Sequence, residues 1–518
     1  MFSEILSTPV IVPVFVAIIL VVASIARLNR LDPREPPVAE PTIPLLGHIF
    51  GLLWNGTAYF QQLCDKNPNI PALTIPIPKA KTYLITTPSL LQAVQRNSRI
   101  ISFDPFLNFA ADRIAGCSKH AQDILRERRV GGQGGNQKII HAMHPTLTGD
   151  GLDEMNENMI RRLKLWNDAL ATRAPMKIDL YEWCREVITV AASDSMWGDL
   201  NPFKSKEIRD AFWDFEGGMN NLLLNFLPQF TARRAWKARQ TLTNAFVEYY
   251  KADGTKSGSQ LAQSRWNSCH EMDITLNDIA CLETSMTIGL LANTIPTAFW
   301  FLFDVCSRPE ILEKIRRELY EHAVHIDTVA SSAIIDLTDI REHCPFMVAV
   351  FQESMRVRLP GRTTRFVYED VVLDNKYFLK EGSIIQIPYP AVHGHADVWG
   401  STSNDFDPTR FLKLTQRKVG AFLQFGISPA ACPGRHFATG EILSFVASLV
   451  LRFDLTPTSS SPGSPWDEPK VRPNSVLTSF DALKKPLIVK ATPREKYKDY
   501  DWDFRVTRGK GRFELVMG

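Results

Sequence analysis

Phe425-Gly-Ile-Ser-Pro-Ala-Ala-Cys-Pro-Gly-Arg-His-Phe-Ala438 is the stretch whose reading decides the fold. In it Cys432 ends a loop rich in Gly, Pro and Ala and opens an amphipathic helix that runs on through Ile442, Phe445 and Leu449. Free backbone N–H groups and the positive dipole end at a helix amino terminus stabilise an anion. A thiolate is favoured there, so the placement predicts a depressed pKa for Cys432. Small residues on both sides, Gly426 and Gly434 among them, let a flat ligand approach the backbone. Residue types alone fit a buried structural cysteine ahead of a helix equally well.

Working outward, the chain has 518 residues, 45% hydrophobic and 22% charged, enough to build a large core. A net charge of +3 gives no ground for a nucleic-acid or acidic partner. The other seven cysteines form no C-x-x-C pair and no compact disulfide pattern, so they read as buried thiols in a reducing compartment. Ile5 to Ala26 carries no charge, and its 22 residues at about 1.5 Å each span roughly 33 Å, enough to cross a ~30 Å hydrocarbon layer. Arg27, Arg30 and Arg34 follow it, which predicts a single-pass anchor with the body in the cytosol. A cleaved signal peptide would carry its positive charge ahead of the apolar run. The Asn55-Gly56-Thr57 sequon then stays unused.

Five prolines between Asp32 and Pro44 predict an extended, semi-rigid spacer between membrane and body. The expected organisation is an anchor over 1–26, a basic, proline-rich hinge over 27–47 and one catalytic body over 48–518. Helical periodicity is clear over Leu152–Ala171, Leu276–Cys306, Pro309–Val324, Pro345–Val357 and Arg435–Leu451. Strand patterns are fewer: 81–87, 383–388 and, between turns, 363–373. The expected fold is mainly α with a small β subdomain. Gly131-Gly-Gln-Gly-Gly135 lacks the phosphate-loop pattern and reads as a loop.

Two further constellations carry chemistry. Glu353 and Arg356 share one helix face at i and i+3, and a buried carboxylate there needs bidentate arginine partners. On its own such a pair is usually a solvated helix face. In Gly289-Leu-Leu-Ala-Asn-Thr-Ile-Pro-Thr-Ala-Phe299, Pro296 cannot donate to the carbonyl of Ala292, so the helix is predicted to open there and leave a groove.

Together these residues resemble the cytochrome P450 family. Phe425-Gly426, Cys432-Pro-Gly-Arg435 and Phe437-Ala438 are similar to its haem-binding signature. Glu353-Ser-Met-Arg356 resembles its E-x-x-R motif, and Phe406-Asp-Pro-Thr-Arg410-Phe411 the segment whose arginine completes that ion-pair cluster. The proline-rich hinge resembles the start of the family's globular body. The resemblance implies the P450 fold, haem b with Cys432 as the axial thiolate on its iron, and a structural cluster of Glu353, Arg356 and Arg410. It also implies electrons from NADPH through a separate reductase, a hydrophobic small-molecule substrate, and an endoplasmic-reticulum membrane location.

The departures are specific. Ser428 stands where the family usually has glycine, and Ala430 where a basic residue pairs with a haem propionate. The upstream W-x-x-x-R is not recognisable near 136–144, where Lys138, His141 or His144 are the candidate substitutes. Arg365 occupies a position of a propionate arginine, with Arg362 as its alternative. Asn293 precedes Thr294 where ordinary members carry an acid and threonine; an amide can orient water but cannot deliver a proton by ionising. The Ala-Asn-Thr-Ile-Pro string resembles the branch of sterol 7α- and 12α-hydroxylases and prostacyclin synthase. The implied function is a monooxygenase oxidising a terpenoid, steroid-like or alkaloid intermediate, in the style of fungal secondary metabolism, with Thr294 and Asn293 managing oxygen and protons. The alternatives are a haem-thiolate isomerase or dehydratase needing no external oxygen, and a non-catalytic protein that keeps the fold.

Overall fold

The computed structural model describes residues 32–40, 47–56, 58–77, 80–126, 134–413, 415–458, 466–472, 482–509 and 512. The apolar run 5–26 and residues 131–133 of the glycine-rich segment lie outside the described residues. The chain divides into two units, Met1–Phe103 with Arg362–Val392, and Asp104–Gly361 with His393–Gly518.

The smaller unit is built on five strands: β1 Ala72–Ile77, β2 Ala80–Ile85, β3 Ile101–Ser102, β4 Arg362–Val367 and β5 Ile384–Pro388, in the order β1-β2-β5-β4-β3. β1 and β2 pair antiparallel, with Ala72 opposite Ile85. β5 joins β2 in parallel, Ile385 opposite Tyr83, and β4 antiparallel, Ile385 opposite Arg365. Pro76 is tolerated because β1 is an edge strand, where a missing N–H costs no ladder bond. Strand β5 is central and almost wholly buried, whereas β4 alternates, turning Thr363, Arg365 and Val367 to the buried face. The helix Ala58–Lys66 packs Phe60, Leu63 and Cys64 against Leu73, Ile75 and Leu84.

The proline-rich segment makes a turn over 32–35, and over 36–40 it is sewn onto this sheet rather than standing off as a spacer. Val38 bridges Thr74 in parallel, and the Thr74 hydroxyl donates to the Pro36 carbonyl at 2.6 Å. Glu35 is buried; it accepts from Lys81 at 2.6 Å and from the Tyr83 hydroxyl at 2.9 Å. A buried acid and a buried amine hold each other here, and composition could not foretell that.

The larger unit is helical. Its principal helices are α1 Gly149–Arg173, α2 Leu180–Trp197, α3 Leu276–Thr287, α4 Thr294–Cys306, α5 Pro345–Arg358 and α6 Arg435–Arg452. α1 packs on α2 and α6, and α4 packs on α2, α5 and α6. Local chemistry starts them: Asp179 caps α2 by accepting from the amides of Tyr181 and Glu182, and Thr275 caps α3 through the amide of Asp278. Glu318 accepts from the first free amides of α5, Phe346 and Met347, both at 2.8 Å. The expected helix Pro309–Val324 ends at His322, because Val324 begins a strand that pairs with 332–335. The stretch Leu276–Cys306 is long and apolar enough to span a membrane, but 78% of its most apolar window is buried in this unit, so it is a core element.

The expected helix Leu276–Cys306 is interrupted. Between α3 and α4 a π-turn occupies Ile288–Ala292, the turn that Pro296 leaves without its donor to Ala292. A second buried acid then fixes α4 to α5: Asp304 accepts from Ser354 Oγ at 2.7 Å, from Arg358 at 2.8 Å and from Arg308 at 2.8 Å.

Replacing Glu35 with Ala leaves Lys81 buried without its acid, a loss of about 3–5 kcal/mol for a buried pair. Limited proteolysis should then cut within 32–40 of E35A and spare that segment in the parent protein.

Candidate active site

The site is built from a buried acid outward. Glu353 lies on α5 with no exposure. Arg356, one turn on, donates to it bidentately, Nε to Oε2 and Nη2 to Oε1, both at 2.7 Å. Its remaining N–H groups go to the carbonyls of His393 at 2.8 Å, Ser403 at 2.6 Å and Asp405 at 3.1 Å, so all five guanidinium donors are used. The Asp407 amide donates to Glu353 at 2.8 Å, and Arg410 Nε stands 3.6 Å away. Arg410 also holds the Trp399 carbonyl at 2.6 Å and Thr402. Burial pushes the Glu353 carboxyl upward against the pull of Arg356, the Asp407 amide and Arg410. The bidentate geometry is that of an ionised pair. The structure thus brings Glu353, Arg356 and Arg410 together as one cluster.

Cys432 is half-buried in the larger unit, whereas the other seven cysteines are buried. Its amide donates to the Phe425 carbonyl at 2.8 Å, closing the loop, while the Gly434 amide reaches the sulfur. Gly426 has φ +83°, a conformation that favours glycine, and above Gly434 there is open space where a side chain would project. Ser428 and Ala430, the positions that depart from the family pattern, are exposed.

One expectation for Cys432 is overturned. Burial raises its thiol pKa, outweighing the Gly434 amide and the positive charge of Arg435. The helix begins only at Arg435, and a dipole loses its effect beyond the first turn.

The interrupted helix presents the second half of the site. Leu282, Ser285, Met286 and Asn293 are half-buried and Gly289 is exposed, in a helix whose other faces are mostly buried. Their spacing of three, four and seven residues places them on one stripe. A side chain at Gly289 would meet nothing nearer than Met286 Sδ at 3.9 Å. The Thr294 hydroxyl is buried and donates to the Leu290 carbonyl at 3.1 Å inside the π-turn. α4 packs on α6, the helix that follows Cys432, so both features belong to one helical core.

Arg365 and Arg362 point to opposite faces of β4, in the smaller unit. Arg365 is buried, donates to Thr363 Oγ1 at 2.7 Å and lies over the Phe103 ring. Arg362 lies over Phe60, and burial lowers its pKa to about 10. Lys138, His141 and His144 are all exposed on the helix Gly135–Thr146; of the three, His144 feels the charge of Arg435.

Two buried residues that the sequence did not single out stand on these elements or beside them. His393 is fully enclosed between α5 and the cysteine loop, accepting from the Leu423 amide at 2.9 Å. Glu441, on α6, has neither carboxyl oxygen hydrogen-bonded among the described residues, and burial raises its pKa well above the carboxyl range. No spacing rule reaches either one, since their surroundings come from distant segments.

The model of the family described as Cytochrome P450 matches residues 175–478. A protein of Hypoxylon pulicicidum named Cytochrome P450 monooxygenase nodJ is 39% identical, over 94% of this chain and 95% of its own. A Cytochrome P450 monooxygenase of Gibberella zeae is 27% identical over 93% and 92%. The human 7-alpha-hydroxycholest-4-en-3-one 12-alpha-hydroxylase is 23% identical over 86% and 91%.

Arg356→Lys keeps the charge and loses the five-donor fork, and Glu353→Ala strands two arginines; each should cost about 3–5 kcal/mol in urea titrations. The double variant should cost clearly less than the sum, because both changes break one unit. Burial raises the Glu441 carboxyl, so its contribution is fully present below about pH 4.5 and is lost as pH rises toward its raised folded value. Glu441→Gln should remove that fall, at most about 1.4 kcal/mol per pH unit, from unfolding free energies measured between pH 5 and 8.

Proposed function

The chain belongs to the cytochrome P450 monooxygenase family, and on that premise we propose that it oxidises a hydrophobic small molecule, drawing electrons from NADPH through a separate reductase. A hydroxylation or related oxidation of a terpenoid, steroid-like or alkaloid intermediate in secondary-metabolite biosynthesis is the reaction we assign. The observation that carries this reading is Cys432: of the eight cysteines the one that is not fully buried, with an amide on its sulfur and open room above Gly434.

Those features fit haem b. A thiol whose pKa burial holds up becomes a thiolate against a strong cation, and iron is one. In this reading Cys432 would ligate the iron, Phe425, Gly426 and Gly434 would help hold the cofactor, and Arg365 would be a propionate partner. Bound there, haem supplies the activation of dioxygen and the insertion of one oxygen atom into an unactivated C–H bond.

The chain's own part is to place substrate and protons. The stripe from Leu282 to Asn293 is polar only at Ser285 and at Asn293 at its end, Glu283 being turned inward to Trp197 and Arg265, which suits a hydrophobic substrate. Thr294 donates to Leu290, leaving its oxygen lone pairs to accept from a water; to give a proton it must turn away from Leu290. Asn293 orients water without ionising. Protons therefore reach the site along water held by Asn293 and Thr294, not from a carboxylic acid at 293.

For the location, we propose a single-pass anchor over 1–26, a link over 27–47 and a catalytic body over 48–518 on the cytosolic face of the endoplasmic reticulum. The uncharged run 5–26 supports this. So do Leu224, Phe226, Leu227 and Phe230, between 55% and 79% exposed and followed by Arg233, Arg234 and Lys237, a pairing of apolar and basic groups suited to a lipid surface. The exposed tip at Ser428–Ala430 is where we place the reductase.

Reconstitution with reductase and NADPH under labelled dioxygen tests the reaction. One labelled oxygen per product molecule is expected; an unlabelled, rearranged product, or turnover without NADPH, would instead identify an isomerase. In the same assay Thr294→Val should lower product formation by about 100-fold while leaving haem content unchanged.

A further inference from the structure

We propose that His393 is a positioning residue that carries the rigidity of the Glu353–Arg356 cluster to the base of the Cys432 loop. The proposal rests on the reading of Cys432 as the iron ligand for its purpose, but the tether itself is a matter of this chain's own bonds.

His393 is 1% exposed and makes two ring bonds, each to backbone. Its Nδ1 is 3.1 Å from the carbonyl oxygen of Arg356, and its Nε2 is 2.9 Å from the amide of Leu423. A carbonyl only accepts and an amide only donates. The proton therefore sits on Nδ1, and Nε2 offers its lone pair; the backbone at both ends dictates one tautomer. The ring stays neutral, because burial and then the neighbouring Arg356 guanidinium lower its pKa to about 3. From the main chain, the His393 carbonyl accepts from Arg356 Nη1 at 2.8 Å, so residue and arginine are joined twice.

Both partners need it. Arg356 lies in the last turn of α5, where carbonyls have no amide of the helix to accept from, and the imidazole N–H supplies a donor. Leu423 is buried, and its amide would otherwise be a buried donor. Beyond Leu423 the loop is bonded to itself: the Leu423 carbonyl accepts from Gly426, and the Phe425 carbonyl accepts from Cys432. Its tip at Ser428–Ala430 is exposed. The loop is thus held at its far end by α6 and at its near end through His393. The ring also lies 5.6 Å from that of Phe422, which packs on Phe411 and Trp399, and Arg356 sits over Trp399. One imidazole spans the gap between a buried ion pair and the segment that sets where the sulfur stands.

His393→Phe keeps a flat aromatic ring, slightly larger, and removes both ring bonds, while His393→Gln keeps a donor and an acceptor. Two measurements follow the loop in the haem-loaded enzyme: hydrogen exchange at Leu423–Phe425, and the rate at which the reduced carbon monoxide complex loses its thiolate-type Soret band. In haem-free protein, the alkylation rate of Cys432 adds a third, with exchange over 345–358 as the control. His393→Phe should raise loop exchange and band loss about tenfold, with the α5 control unchanged, and His393→Gln should recover most of the difference. Loop exchange equal to the parent in His393→Phe would overturn the proposal. Equal loosening of 345–358 and 423–432 would also overturn it, since that marks a general packing role. A parent protein without a thiolate-type band would defeat the ligand reading alone, and exchange and alkylation would still decide the tether.

Discussion

A carboxylate with no exposure, held by a guanidinium whose five donors are all used, is the constraint on which the larger unit depends. Glu353 cannot be buried without Arg356, and Arg356 cannot be satisfied without the carbonyls of His393, Ser403 and Asp405. Those carbonyls belong to an irregular stretch with little regular structure of its own. The ion pair gives that stretch one conformation, and through His393 and Leu423 the same conformation reaches the loop of Cys432. Asp304 repeats the device one layer away, joining α4 to α5 through Arg358 and Ser354. Buried charge here specifies geometry, which a purely apolar core would leave less determined.

Against this rigid side stands a helix that is deliberately irregular. Pro296 and the π-turn ahead of it leave a stripe from Leu282 to Asn293 without full cover, in an element that elsewhere is the most apolar of the core. The sulfur-bearing loop leads into α6, and the opened helix leads into α4, which packs on α6.

Much of this was legible in the chain. The loop of Cys432, the Glu353–Arg356 spacing and the Pro296 break are local patterns whose chemistry follows from residue type and period, and the helices from Leu152, Pro345 and Arg435 begin within three residues of their expected starts. Resemblance to the sterol 12α-hydroxylase branch, carried by five residues near Asn293, agrees with the human relative. What was not legible depends on distance along the chain. Glu35 meets Lys81 across 46 positions, so a segment with the composition of a spacer proved to be sewn to a sheet. His393 meets Arg356 across 37, and no period connects them. The pKa of Cys432 had the wrong expected sign because burial, which dominates it, is a property of the fold and not of the loop. Arg362 and Arg365 became distinguishable only when the strand put them on opposite faces.

The account stands or falls on the sulfur of Cys432. The most direct measurement is the reduced carbon monoxide difference spectrum of the purified protein beside that of Cys432→Ala. A thiolate-type Soret band in the parent that is absent from the variant is the result the account predicts. The same band surviving in Cys432→Ala, or no haem signal in a folded parent protein, would contradict it.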